Sequence, residues 1–234
     1  MGAVRVKGYT IEPGANLAGA RLVRANLIGA ILSGANLSGA NLSRARLVRA
    51  YLKSANLSGA NLSRANLEDA FLMGADLTGA NLSDANLIKV NFAKANLSET
   101  NLSGADLRVA HLERTNLTGA NLSGANLEAA KLGEANFQNA NLRNASIREA
   151  SGFKPNPSQM GIPTRFQILN NKWPSFEGAD LSGANLSGAN LGWQGLGLSA
   201  GADLSKANLS GATADQATRW PGGFDPVAAG VTFE

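Results

Sequence analysis

The 234-residue chain has no cysteine, which excludes disulfides, thiolate metal sites and a cysteine nucleophile. It has a single histidine, His111, so a histidine-rich metal centre is excluded as well. Aromatic residues make up 6% and charged residues 16% of the chain, so most of the apolar content is Ala and Leu. That composition suits a narrow, regular interior better than an irregular globular core. No stretch approaches the roughly 20 consecutive apolar residues needed to span a bilayer. The opening MGAVRVKGYTIEPG lacks the continuous apolar run of a secretory leader, and a soluble cytoplasmic protein is the expectation.

A five-residue period is present in abundance. From Leu17 to Ile147 every fifth residue is Leu, Phe or Ile, 27 centres without a gap. Two positions before each centre stands Ala, except at Val90, Thr100 and Thr115. A period of five fits neither the 3.6 of a helix nor the two of a strand. A chain that turns a corner every five residues fits it: centre and preceding Ala point inward, and the other three positions face out. Four such sides close a square coil of twenty residues, and coils stack through backbone hydrogen bonds at about 4.8 Å. Gly recurs two residues after the centre, as at Gly29, Gly39 and Gly59, where a corner requires positive φ.

Repeated in tandem, ANLSG, ANLSR, ADLTG and ANLED resemble the pentapeptide-repeat family, whose motif is A(D/N)LXX. The tail ATRWPGGFDP is similar to tails of cyanobacterial members. The resemblance implies an all-β, right-handed quadrilateral β-helix, here of about eight or nine coils. It spans residues 15–149 continuously and 176–214 with interruptions. Residues 1–14 and 215–234 are expected to cap the open ends, which an exposed β edge requires. Residues 150–175 hold four of the seven prolines and read as an extruded loop. Between Leu191 and Leu204 the step is thirteen residues rather than ten, which predicts a three-residue bulge near 192–203. The many Asn-Leu-Ser triplets formally match glycosylation acceptors but follow from the repeat itself.

With twenty residues per coil, each side can be read as a column. Before the centre, three sides carry mostly Asn or Asp, whose amides can bond from coil to coil. The fourth reads Ile31, Tyr51, Phe71, Asn91, His111, Lys131. Ile31, Tyr51, Phe71, Met73 and Val48 are predicted to form an apolar stripe, with Arg46, Arg49 and Lys53 beside it. Clustered exposed apolar residues mark interaction sites. Loop 150–175 is the segment that could instead cover the stripe.

Nothing in the chain supports catalysis. His111 has Glu113 nearby but no nucleophile in a recognisable turn, and the carboxylates are scattered. Neither cofactor, metal nor small-molecule substrate is expected. Charge is uneven: residues 1–67 carry nine Lys/Arg and one acid, while 68–234 carry twelve and sixteen. The leading reading is a non-catalytic scaffold whose third and fourth sides dock a protein partner or a second copy of the chain. The alternative is electrostatic binding of nucleic acid or an anionic membrane by the basic half, where Arg24, Arg44 and Arg64 share a column. The family resemblance also implies DNA mimicry that protects type II topoisomerases from quinolones. That role needs an acidic rod, and this chain carries +4.

Overall fold

The structure, a computed structural model, describes residues 4–151, 173–195 and 198–234. Among them there is no helix. The chain winds into stacked square coils whose first side climbs through nine levels, Asn16, Asn36, Asn56, Asp76, Asn96, Asn116, Asn136, Ser175 and Asp203, each bridged in parallel to the next. Backbone bonds tie each level to its neighbour. Leu17 N–H donates to the Asn36 carbonyl at 2.6 Å, Asn36 N–H to Ala15 at 2.9 Å, and Gly19 N–H to Ser38 at 2.8 Å. The same set recurs along the repeat.

Corners follow from the five-residue unit. Ala20 N–H bonds the Leu17 carbonyl at 3.0 Å, closing a four-residue turn with φ of 63° at Gly19, the pattern of a type II turn. The left-handed slot is not reserved for glycine: Arg24, Arg44, Glu99 and Val109 occupy it with φ between 54° and 59°. The core is two stacked columns per side, with centres such as Leu77 and preceding residues such as Ala75 fully buried. Where Thr replaces that Ala, the hydroxyl stays satisfied: Thr100 donates to the Leu77 carbonyl at 3.0 Å and Thr115 to Phe92 at 2.8 Å. Phe137 and Phe176, on successive levels, stack with centroids 4.8 Å apart.

The asparagine columns act within the coil as much as between coils. Asn36 Oδ1 accepts from Ser38 N–H at 3.1 Å, and Asn61 from Ser63 at 3.0 Å, so each side chain braces the turn two residues on. Amide bonds up the ladder are present too, as from Asn116 to Asn96 at 3.1 Å.

Two interruptions leave the sides in register. The step from Asn136 to its partner Ser175 is 39 residues where earlier steps are 20. Most of loop 150–175 lies outside the described residues, and so does the question of whether it covers the stripe. The expected three-residue bulge is instead an antiparallel hairpin, strand β3 (Gly192–Gly195) pairing with β4 (Leu198–Gly201); the other strands in chain order are β1 (Val4–Val6), β2 (Tyr9–Ile11), β5 (Thr213–Ala214) and β6 (Thr232–Phe233). Leu191 and Leu204 are thus one side apart, not two, and the hairpin takes up the excess. Gly192 sits at its base because a Cβ there would lie 2.1 Å from the Trp220 carbonyl oxygen.

At the amino-terminal end β1 and β2 form a hairpin that buries Ile11 and brings the Tyr9 hydroxyl to accept from Arg21 N–H at 3.2 Å. At the other end β6 pairs in parallel with β5, extending the third side by one more strand and burying Val231. Trp220 and Phe224 stack at 5.3 Å in the same tail.

Candidate functional site

The fourth side departs from the repeat in its first three levels. Ile31, Tyr51 and Phe71 bridge in succession, and Phe71 bridges to Asn91, where the repeat residue returns. None of the three apolar side chains can supply the turn-bracing oxygen that Asn91 gives to Ala93 N–H at 3.0 Å. They project outward: Ile31 is 52%, Tyr51 47% and Phe71 41% exposed. The Tyr51 and Phe71 rings stack with centroids 5.0 Å apart and planes 12° from parallel. That spacing is the inter-coil distance itself, so the ladder holds the pair without needing an aromatic partner from elsewhere.

The flanking residues divide between the two edges of this face. Lys53 and Met73 lie at the turn leaving it, one level apart, and both are exposed. Val48 and Arg49 form the turn that enters it. Val48 is half-buried, and Arg49 reaches Asp69 one level on, with Nε to Oδ2 at 3.8 Å. Arg46 is exposed on the third side, beyond that corner. The structure therefore brings Ile31, Tyr51, Phe71, Met73 and Lys53 together on one face, leaves Val48 at its rim, and places Arg46 round the corner. Ile28, also exposed, extends the apolar rim one level below Val48.

Higher on the same side the column becomes polar. His111 lies 3.6 Å from Glu113 and 3.1 Å from Lys131 Nζ. Among the described residues no group of three or more His, Asp or Glu is arranged to hold a metal ion, and no helix is long and apolar enough to cross a membrane.

The opposite face of the coil, the second side, carries a shallow groove of about 570 Å³ lined in part by Lys7, Arg24, Arg44 and Arg64. Lys7 comes from the turn between β1 and β2, and its ammonium donates to the Val23 carbonyl. The arginine column is readable in the sequence. Lys7 is not, because its contact crosses sixteen residues outside any repeat register.

A twenty-residue square coil of this sequence pattern is matched by two family descriptions. Pentapeptide repeat region covers residues 45–122, and pentapeptide repeats (8 copies) covers 14–47, 120–151 and 175–193. The chain belongs to the pentapeptide-repeat family. Among solved structures it is similar to HetL, a pentapeptide-repeat protein involved in heterocyst differentiation regulation from the cyanobacterium Nostoc sp. strain PCC 7120. The identity is 36% over 86% of this chain and 84% of HetL, with a TM-score of 0.50. QnrB1, a plasmid-mediated fluoroquinolone resistance protein, is 17% identical over 85% of this chain and 91% of its own, with a TM-score of 0.50. At that identity it shares the fold alone, the right-handed quadrilateral β-helix. No curated protein matches the chain.

Proposed function

We propose that this pentapeptide-repeat protein is a non-catalytic scaffold that docks a protein partner on the first three levels of its fourth side. One observation carries the reading. A stacked Tyr51–Phe71 pair stands exposed where the repeat elsewhere places a turn-bracing Asn or Asp. The chain gives up a local hydrogen bond at two successive levels and presents apolar rings to water, a cost that a docked surface would offset. Lys53, exposed at the edge leaving the face, adds a cation beside the rings, so the partner that fits combines an apolar anchor with a carboxylate. The 36% identity to a protein involved in regulating heterocyst differentiation supports a regulatory rather than a metabolic setting. DNA mimicry finds no support in an apolar face on a chain of charge +4.

The double variant Tyr51→Asn, Phe71→Asn restores the repeat residue at both levels, so its melting temperature should match that of the parent. Affinity capture from native extract should recover a partner with the parent and lose it with the variant, since a buried aromatic anchor contributes roughly 2 kcal/mol or more. Recovery of the same partners at the same strength by both proteins would refute the docking face. Sedimentation of the purified chain separates a heterologous partner from self-association, which would appear as a concentration-dependent dimer abolished by the same two changes.

A further inference from the structure

The groove on the second side has a construction that backbone geometry does not explain. Arg24, Arg44 and Arg64 occupy the left-handed corner slot with φ of 54°, 57° and 57°. At the same levels the preceding corner holds Gly19, Gly39 and Gly59. Non-glycine residues fill this slot at many other corners, so what sets this column apart is its charge, three arginines standing one above another. They also lack the pairing seen at two other corners. There an arginine meets a carboxylate one level on, Arg49 with Asp69 at 3.8 Å and Arg114 with Glu134 at 3.0 Å. Here like charges stack three deep. Only the last is neutralised, Arg64 Nε lying 3.4 Å from Asp84 Oδ2, and among the described residues neither Arg24 nor Arg44 pairs with a carboxylate.

The column is bounded at both ends. Arg24 lies on the first level, where Lys7 reaches over from the amino-terminal hairpin, and Asp84 closes the fourth level with a negative charge. Three cations one coil apart span about 10 Å at the inter-strand spacing. The Ser43 and Ser63 hydroxyls also line the groove, but no aromatic does, so bases have nothing to stack on. A nucleic-acid strand or an extended anionic membrane would run past the third cation onto Asp84. Long guanidinium side chains on three successive levels, with hydroxyls between them, can converge on a short chain of linked phosphate groups.

We propose that this groove binds a short linear oligophosphate, on which the side chains of Arg24, Arg44 and Arg64 converge, with Lys7 closing the open end. The test is titration calorimetry on the full chain with inorganic tripolyphosphate. Orthophosphate, a single-stranded oligonucleotide and phosphatidylserine vesicles serve as competing arms. Tripolyphosphate should bind roughly tenfold or more tightly than orthophosphate and weaken as salt rises. Arg44→Gly should reduce that affinity about tenfold without lowering the melting temperature, because glycine suits φ of 57° better than arginine does. Arg24→Gly provides an independent second position with the same expectation. Unchanged binding in both variants, no preference over orthophosphate, or tighter binding of the oligonucleotide or vesicles would each overturn the proposal.

Discussion

Leu77 and Asp76 are chain neighbours with opposite fates. Leu77 is fully buried, whereas Asp76 is half-buried and accepts from Thr78 through both N–H at 3.0 Å and hydroxyl at 2.6 Å. Leu77→Asp would put an unpaired carboxyl into a dry interior and should cost about 3–5 kcal/mol. Asp76→Ser keeps a short oxygen acceptor and should cost less than about 1 kcal/mol. Chemical denaturation of both variants checks the pair, and equal losses would show the inward and outward slots to be misassigned. A gain is expected at Val109, a β-branched residue held at φ of 59°. Val109→Gly relieves that strain and should raise stability by about 1 kcal/mol, measured as an upward shift in melting temperature. The five-residue register marks Val109 in the sequence, since it stands two residues after the Leu107 centre, in the corner slot that requires positive φ.

At the scale of elements, the sides and their inward columns were legible because a period of five admits one geometry. The aromatic column was legible for the same reason, since Tyr51 and Phe71 break a pattern that is otherwise regular. The role of Asn was only half legible. Ladder bonding follows from stacking, but bracing of the turn depends on a side-chain rotamer that spacing does not report. The hairpin of β3 and β4 was misread for an arithmetical reason: thirteen residues are two repeats plus three or one repeat plus eight, and the remainder is the same. The tail was legible only as the end of the repeat. Its anchor is Asp215, whose Oδ1 accepts from Gly188 N–H at 2.8 Å, from Thr218 N–H at 3.0 Å and from the Thr218 hydroxyl at 2.9 Å. The Gly188 N–H first, and then the Thr218 donors, hold this carboxyl below its ordinary value of 3.8. A depressed carboxylate stabilises the fold above its ordinary pKa, and the contribution is lost as pH falls through the depressed one. Asp215→Asn should therefore lower the melting temperature at neutral pH, and the gap to the parent should close in acid below about pH 3.8. A gap that persists unchanged into acid would mean that the charge contributes nothing.

The whole molecule is a rod of nine levels, roughly 40 Å long at the inter-strand spacing, with its net positive charge at the amino-terminal third. Steps of 39 and then of 28 or 29 residues replace the usual 20, yet every later side stays above its proper predecessor, as Asp180 above Asn141 and Asn208 above Asp180. In a helix or a coiled coil, an insertion rotates everything downstream out of phase. Here the chain keeps time by the corner at which it leaves and returns, and the length of the excursion does not enter. Excising residues 152–170 together with Asn171→Leu would restore a five-residue step from Ser151 to Ser175, with Leu in the inward centre slot and Pro174, already buried, in the slot that Ala fills elsewhere. The shortened chain should melt cooperatively with the β-sheet circular dichroism of the parent, and loss of that signal would show that the insertion itself holds the later coils in place. Such a fold can take on or shed surface loops one at a time without renegotiating its core, so its history of change is written at the corners.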